Sequence, residues 1–285
     1  SVLIAFSLQA ASPQDSRPPN VVLIVADDLG WTDLGCQGSG YYETPNIDRL
    51  AAQGARFTHA YAACAVCSPS RAALLTGRYP ARLGVTDWIH HEGPEDREAQ
   101  AGGENIAGFD RPRGRRMLTP RNKNWLEEEE VTLAELLKEG GYATCHIGKW
   151  HLGHFPAFMP LRQGFDEYFG IPYSNDMWPY HPGVLHLPME QRLKRWPHLP
   201  LIDRNDAVNA QVSGKEQEQL TTQYTERAVS FIEKNKDKSF CLYVTHESPH
   251  APVQGPNDPI QRGPGAKKRT TPHAEAMKQM ILEMD

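Results

Sequence analysis

Two cysteines, Cys64 and Cys67, stand three residues apart in the stretch CAVCSPSRAALLTGR. A Cys-x-x-Cys pair can be a redox couple, half of a zinc site, or two unrelated cysteines. The sequence lacks the second pair that a zinc ribbon needs, and Pro69 lies two residues past Cys67, which fits a redox pair poorly. We therefore interpret Cys64 as a small buried apolar residue. Ser68 and Pro69 predict a helix start whose free N–H groups would favour an anion, or a thiolate, beside Cys67.

Two adjacent carboxylates, Asp27 and Asp28, follow the apolar run VVLIV. Ligands of open α/β sheets collect beyond the carboxyl ends of the strands. Two carboxylates at such a place repel each other unless a cation lies between them, and oxygen donors suit Ca²⁺ or Mg²⁺. The two residues alone leave open a turn-capping aspartate beside a solvated one. Arg71, one turn into the helix after Cys67, has the forked donors that orient an oxyanion.

Two further groups of polar residues follow strand-like segments. Lys149 and His151 stand in GKWHLG, and His246 and His250 in THESPHAP. Taken alone, the first two are typical of a solvated turn. The two later histidines are four residues apart, but Pro249 excludes the helix that a zinc-binding pair would need. His246 is interpreted as a residue that caps the end of a strand.

The elements that must position these residues alternate along the chain. Apolar runs predict strands over NVVLIVADD (20–28), ARFTHAYA (55–62), YATCHI (142–147) and SFCLYVTH (239–246). Caps and periodicity predict helices over TPNIDRLAAQG (44–54), SPSRAALLTG (68–77), VTLAELLKEGG (131–141), TTQYTERAVSFIEKN (221–235) and HAEAMKQMILEMD (273–285). This order predicts an α/β fold with a mostly parallel central sheet and helices on both faces. Polar insertions at about 90–126, 176–215 and 251–272 are long enough to be functional loops.

Composition excludes several classes of protein. The 285 residues carry a formal charge of −5, so nucleic acid is not an expected partner. Five cysteines are too few, and odd in number, for a disulfide scaffold. Residues 1–19, SVLIAFSLQAASPQDSRPP, resemble the remainder of a secretory signal peptide and a linker, and no later segment is apolar enough to span a bilayer. No Asn-x-Ser/Thr site is present, so we expect a bacterial protein exported to the periplasm or secreted.

Several blocks of the sequence carry a resemblance to one family. CSPSRAALLTGR resembles the sulfatase signature Cys-x-Pro-Ser-Arg-(x)n-Thr-Gly-Arg. NVVLIVADDLGWTDLGCQG, GYATCHIGKWHLG, GFDEYFGIPYSND and SFCLYVTHESPHAP are similar to further blocks of that family, in the same order. The resemblance runs from about residue 20 to the last residue and is nearest to arylsulfatases and N-acetylgalactosamine-6-sulfatases. It implies an alkaline-phosphatase-like α/β sandwich and a sulfuric ester hydrolase.

The resemblance also implies a modified nucleophile. In the family a maturing enzyme oxidises the cysteine that corresponds to Cys67 to Cα-formylglycine, also called 3-oxoalanine. One hydroxyl of the aldehyde hydrate attacks sulfur and the alcohol leaves; the second hydroxyl then loses its proton and the carbonyl re-forms, which expels sulfate. A cysteine thiol lacks that second hydroxyl. Asp27, Asp28 and residue 67 would bind Ca²⁺, with Mg²⁺ possible.

Roles for five further residues follow from the same resemblance. Lys149 would neutralise sulfate oxygens, and His151 would hydrogen-bond the formylglycine hydroxyl and deprotonate it. His250 would lie near the leaving-group oxygen as a general acid or sulfate ligand. Arg71 would brace the signature, and Ser174 in IPYSND would line the substrate pocket.

The sequence departs from the family in one respect. The family completes its metal site with an Asp-Asn pair in a later Ser-Asp-Asn-Gly block and adds another lysine, and this chain contains neither. We therefore expect residues 20–285 to be the N-terminal part of a sulfatase catalytic domain, with the C-terminal part of the fold missing and little activity alone. A carbohydrate sulfate is the preferred substrate, because long polar insertions suit a polyhydroxyl ligand. The alternatives are a phosphonate or phosphodiester hydrolase of the same superfamily, a catalytically inactive remnant, and a thiol redox protein.

Overall fold

A seven-stranded sheet lies at the centre of the molecule. The computed structural model describes residues 17–90, 122–181, 184–253 and 273–285, together with the backbone of four short strands outside these ranges. The strands are β1 Val2–Leu3, β2 Val21–Asp27, β3 Asn105–Ile106, β4 Phe109–Asp110, β5 Thr119–Pro120, β6 Ala143–Gly148, β7 Glu167–Gly170, β8 Leu201–Asp203, β9 Asp206–Asn209 and β10 Phe240–Pro249.

Parallel pairing defines the middle of this sheet. The strand order is β1-β2-β10-β6-β7-β8-β9, and β2, β10, β6 and β7 run parallel to one another. The strands β1, β8 and β9 pair antiparallel. A separate three-stranded antiparallel sheet contains β3, β4 and β5. The predicted mostly parallel sheet is confirmed.

Helices cover both faces of the central sheet. They are α1 Pro45–Gln53, α2 Cys67–Thr76, α3 Pro80–Leu83, α4 Leu133–Glu139, α5 Met189–Arg195, α6 Gly214–Gln217, α7 Leu220–Asn235 and α8 His273–Met284. Successive side chains of a strand point to opposite faces, so β10 contributes to two cores. Leu242 packs with Tyr224 and Phe231 of α7, whereas Tyr243 packs with Leu75 of α2 on the other side.

The starts of α4 and α1 show how far the capping signals of the sequence hold. Thr132 and Glu135 form the predicted capping box at the start of α4. Helix α1 begins at Pro45 as predicted, but the Thr44 side chain makes no cap hydrogen bond. The carboxylate of Asp285 accepts hydrogen bonds from the first-turn N–H groups instead, which ties α8 to α1.

Three local predictions are wrong. Residues 55–62 form no strand, and Phe57 and Tyr61 are 61% and 86% exposed. The apolar residues there suit a strand, but the segment pairs with none of the described strands. Helix α2 begins at Cys67, one residue earlier than predicted, and Cys64 is half-buried rather than buried.

Other predictions fall partly outside the described residues. The insertion at 176–215 contains α5, β8 and β9 and the start of α6, whereas most of 90–126 and 251–272 is not described. The signal-peptide assignment for residues 1–19 also falls largely outside them and stays a prediction. Within the described ranges, no helix has the length and apolar character to cross a membrane.

Candidate active site

The site forms where β2, β10 and β6 end side by side. Because β10 pairs with both neighbours, it sets their relative register: Thr245 lies opposite Gly148, and Pro249 opposite Asp27. The residues that follow the three strands therefore meet at the carboxyl edge of the sheet. These residues are Asp28 after β2, Lys149 and His151 after β6, and His250 after β10. The structure thus brings residues from three of the blocks together at one edge.

A buried charged trio lies under this edge. The Asp27 carboxylate accepts hydrogen bonds from Lys149 Nζ and, at 3.2 Å, from Arg71 Nη2. Burial alone would raise the pKa of Asp27, but the charges of Lys149 and Arg71 hold it well below its usual range. One carboxylate between two cations leaves one surplus positive charge. The trio therefore favours an anion bound nearby.

Ser174 connects the buried Lys149 ammonium group to the surface of the pocket. Lys149 is fully buried, and its Nζ also donates to Ser174 Oγ at 3.0 Å. Ser174 lines the pocket beside residue 67, whereas Lys149 and Arg71 lie behind it. Because the Ser174 oxygen accepts from the ammonium group, its own hydrogen is available to donate to a ligand.

The backbone after β6 is fixed from two sides. Arg71 Nη1 and Thr245 Oγ1 both donate to the Lys149 carbonyl. Gly148 has φ +108°, and a Cβ there would overlap the Thr245 carbonyl. His151 follows with φ +58°, a conformation that non-glycine residues adopt rarely.

His151 faces residue 67 in a defined tautomer. Its Nδ1 lies 3.2 Å from Cys67 Sγ, and its Nε2 lies 2.9 Å from the Ile89 carbonyl oxygen. A carbonyl only accepts, so Nε2 must carry the proton and Nδ1 the lone pair. Burial, together with the charge of Lys149, lowers the pKa of His151 well below its usual value. The imidazole is therefore a neutral base directed at residue 67.

Ser68 holds the carbonyl that fixes this tautomer. The Ile89 backbone N–H donates to Ser68 Oγ at 3.0 Å, and Ser68 follows Cys67 in the first turn of α2. The first turn thus carries both residue 67 and the support for its histidine. Sequence reasoning missed Ile89, because a backbone carbonyl gives no signal in side-chain types.

Asp28 and His250 lie at the open rim. His250 Nε2 is 3.6 Å from Asp28 Oδ2, and the Asp28 side chain is 60% exposed. His246 is buried within β10, and burial lowers its pKa to about 4. It pairs with Ala26 of β2 from inside β10, which continues to Pro249, so the interpretation of His246 as a strand-end cap is wrong.

A cavity of about 340 Å³ opens in front of residue 67. The predicted residues on its wall are Asp28, Cys67, His151, Ser174 and His250. Sequence reasoning missed other lining residues, which include Trp88, Asp176, Met177, His181 and Trp196. Four of these lie in the insertion at 176–215, whose length was the one signal that pointed to them.

The donors for a metal ion are only part of a complete set. Asp27 and Asp28 offer carboxylate oxygens, the ligand type that Ca²⁺ and Mg²⁺ prefer. Across the described ranges, no group of three or more His, Cys, Asp or Glu side chains is arranged to hold a metal. Calcium takes about six to eight oxygens. The two aspartates therefore fit a hard cation in donor type and supply a minority of its ligands.

The fold and this site place a cysteine at a helix start, beside a histidine and a buried charged trio, at the carboxyl edge of an α/β sheet. The sequence profile described as Sulfatase matches residues 19–285, and the chain belongs to the sulfatase family. It is 38% identical over 261 residues to N-acetylgalactosamine-6-sulfatase of the dog, Canis lupus familiaris, covering 88% of this chain and 43% of that protein. It is 39% identical over 253 residues to arylsulfatase G of the rat, Rattus norvegicus, covering 82% and 42%.

Solved structures show the same likeness. The PsFucS1 sulfatase from Pseudoalteromonas sp. matches with a TM-score of 0.68 and 27% identity, covering 94% of this chain and 50% of that one. Ps i-CgsB in complex with k-i-k-neocarrahexaose matches with a TM-score of 0.64 and 28% identity, covering 93% and 52%. The predicted alkaline-phosphatase-like fold is confirmed. The chain spans less than half the length of the dog and rat relatives.

Proposed function

We propose that the whole protein hydrolyses aryl or carbohydrate sulfate esters with a formylglycine derived from Cys67. The observation that carries this proposal is the position of residue 67. It begins α2, faces the unprotonated Nδ1 of His151 at 3.2 Å, and lies in the same pocket as Ser174. Residue 67 is thus surrounded by a neutral base, an anion-favouring trio and a helix N-terminus. This arrangement suits transfer of a sulfuryl group.

His151 and Ser174 have the clearest roles in this reaction. A hydroxyl on residue 67 would attack sulfur as the alcohol leaves. The second hydroxyl would then give its proton to His151 Nδ1, the carbonyl would re-form, and the bond between the carbon of residue 67 and the sulfate oxygen would break to release sulfate. Ser174 would donate to a sulfate oxygen, with the Lys149 charge behind it. His250 at the rim would serve the leaving-group oxygen, and Arg71 would hold Asp27 and the Lys149 carbonyl in place.

The two aspartates would supply carboxylate ligands for Ca²⁺ or Mg²⁺. Such a cation, when bound, would make a coordinated hydroxyl more acidic and neutralise sulfate charge. Asp27 is buried and already accepts hydrogen bonds from two cationic side chains, whereas the Asp28 side chain is 60% exposed. Asp28 is therefore the more accessible of the two donors.

The alternatives have less support. Helix α2 begins at the second cysteine, so Cys64 lies outside it, and both are free thiols. That arrangement does not favour a redox pair. The relatives named above are sulfatases, so a phosphonate or phosphodiester hydrolase is not favoured, and hydrolysis of 4-nitrophenyl sulfate against 4-nitrophenyl phosphate separates the two. Failure of the whole protein to hydrolyse either would favour an inactive remnant.

Mass spectrometry of the peptide that contains residue 67 tests the proposal most directly. Replacement of the thiol and one hydrogen by a carbonyl oxygen lowers the mass by about 18 Da. We expect this loss in protein that releases sulfate, and its absence, with loss of activity, in Cys67→Ala. Cys64→Ala is the matched control and should keep both. Sulfate release by a preparation whose residue 67 is unmodified cysteine would refute the formylglycine mechanism.

Two further proposals accompany the function. Conversion of Cys67 requires a formylglycine-generating or other maturing enzyme in the same cell, so the expected mass loss should depend on coexpression of such an enzyme. Residues 20–285 would belong to the catalytic domain, and residues 1–19 would be the remainder of a signal peptide for export to the periplasm or medium, followed by a linker.

A further inference from the structure

The pocket has an aromatic side that sulfate chemistry does not require. Trp88 and Trp196 line it from two separate segments, with ring centroids 6.4 Å apart and planes inclined by 35°. Both rings pack against the core cluster that contains Tyr224 and Leu242, so the protein holds them in place. Met177, which is buried, adds a further apolar side chain to the lining of the pocket.

One carboxylate belongs to the same lining. Asp176 lines the pocket next to Met177 and is partly exposed. Among the described residues, no Lys, Arg or His side chain lies within ion-pair distance of Asp176, whereas Asp27 and Asp166 each have such a partner. An ionised carboxylate accepts hydrogen bonds and donates none, so it suits a ligand that presents hydroxyl groups.

The dimensions suit one ring and its sulfate. The cavity of about 340 Å³ lies near the lower end of the ~300–1,000 Å³ typical of small-molecule sites. Its lining combines two kinds of chemistry: Ser174, His151 and residue 67 suit the sulfate, and the two tryptophans with Asp176 suit a sugar ring.

We propose that Trp88, Trp196 and Asp176 bind the pyranose ring of a sulfated sugar. The ring's C–H groups on one face would lie against the tryptophans, whose faces carry partial negative charge. Its hydroxyl groups would donate to Asp176. An aryl sulfate would use the tryptophans alone, since it has no hydroxyl to offer the carboxylate. This inference rests on the proposed function for the identity of the sulfate end and adds the residues that select the sugar.

Binding to a variant that cannot turn over tests the inference apart from catalysis. The full chain with Cys67→Ala would be titrated in calcium-containing buffer with galactose 6-sulfate, N-acetylgalactosamine 6-sulfate and N-acetylglucosamine 6-sulfate, and with 4-nitrophenyl sulfate. We expect Trp196→Leu to weaken binding of the best sugar sulfate at least about tenfold. Trp31→Leu is the matched control, because Trp31 is 71% exposed and outside the pocket, and it should change nothing.

Asp176 separates the sugar from the aryl ligand. Asp176→Ala should weaken binding of the sugar sulfate about tenfold and leave binding of 4-nitrophenyl sulfate unchanged, since only the sugar would lose a charge-assisted hydrogen bond. Equal weakening of both ligands, equal affinities of Trp196→Leu and Trp31→Leu, or no sugar sulfate bound at all would overturn the inference. If Trp196→Leu does not fold, saturation-transfer NMR on the Cys67→Ala chain decides: tryptophan irradiation should saturate ring protons of one sugar face, and even saturation would contradict stacking.

The two proposals fail separately. If sugar binding depends on the tryptophans but neither formylglycine nor sulfate release is found, the proposed reaction is refuted and the proposed sugar site is supported. Formylglycine and sulfate release with sugar binding indifferent to Trp196 and Asp176 would do the reverse.

Discussion

His151 illustrates how a backbone group decides what a side chain can do. The imidazole lies between the Ile89 carbonyl, which only accepts hydrogen bonds, and residue 67, so the one proton of the neutral ring is on Nε2. The carbonyl keeps its position because the N–H of the same residue donates to Ser68. At the residue scale, His151 and residue 67 are therefore linked through the hydroxyl of Ser68.

Ser68→Ala tests that link. The Ile89 N–H would lose its buried partner, and we expect a loss of about 1–3 kcal/mol in the free energy of unfolding. His151 should also become a mixture of tautomers, which ¹⁵N-detected NMR of the imidazole measures. Ser70→Ala is the control, because Ser70 Oγ donates to the Cys64 carbonyl and does not contact Ile89. It should lower stability and leave the tautomer unchanged; an unaltered tautomer in Ser68→Ala would show that Ser68 does not hold it.

At the scale of elements, the turn after β6 depends on close approach of two backbones. The N–H of Lys149 donates to the Thr245 carbonyl at 2.9 Å, and the same carbonyl occupies the space that a Gly148 side chain would need. The approach brings the residues after β6 against β10. The Gly-Lys-Trp-His-Leu-Gly block thus contains a packing requirement as well as polar groups.

Gly148→Ala should therefore disrupt the fold. We expect a loss of more than about 3 kcal/mol, from overlap with backbone added to a left-handed conformation that costs roughly 1–2 kcal/mol. Gly141→Ala is the matched control, since Gly141 has φ +84° and a Cβ there would meet no described atom within 4 Å beyond its chain neighbours. It should cost only the conformational part. Urea denaturation of the two variants compares them, and similar losses would mean that the contact with Thr245 relaxes.

Local signals such as apolar runs, caps and terminal glycines were enough to predict the helices α1, α2, α4, α7 and α8 and the parallel strands β2, β6 and β10. The remaining helices and strands were not predicted. The strand prediction for residues 55–62 was wrong because an apolar run indicates only compatibility with a strand. A strand also needs a neighbouring strand with which to form hydrogen bonds. The signature residues of the site could be placed on strand ends and one helix start. Trp88, Trp196 and the Ile89 carbonyl could not, since only the tertiary fold brings them to residue 67.

At the scale of the whole molecule, a buried carboxyl group makes stability depend on pH. Glu247 lies in the central strand β10, and burial raises its pKa to about 7. The unfolded chain releases this proton near pH 4.5, while the folded chain keeps it until about pH 7. Stability from this group is thus fully present below pH 4.5 and is lost as the pH rises to about 7.

Glu247→Gln removes that dependence. Relative to the parent, the variant should gain on the order of 3 kcal/mol in unfolding free energy between pH 4.5 and pH 8. Chemical denaturation across this range gives the difference curve. Glu129→Gln, at an exposed position, should give a flat curve. A flat curve for Glu247→Gln as well would mean that water or a rearranged neighbour solvates the carboxylate.

The central place of β10 has a consequence for the order of folding. β10 lies between β2 and β6, yet it follows β2 by more than 200 residues in the chain. Before β10 is made, β2 has no parallel partner, and the nascent chain presents open strand edges of the kind that aggregate or bind chaperones. Asp27 and Lys149 face each other across the end of this strand, so the charged trio comes together when β10 inserts. A ribosome-bound chain that ends before residue 240 therefore lacks the strand that joins β2 to β6, and with it the approach of Asp27 to Lys149.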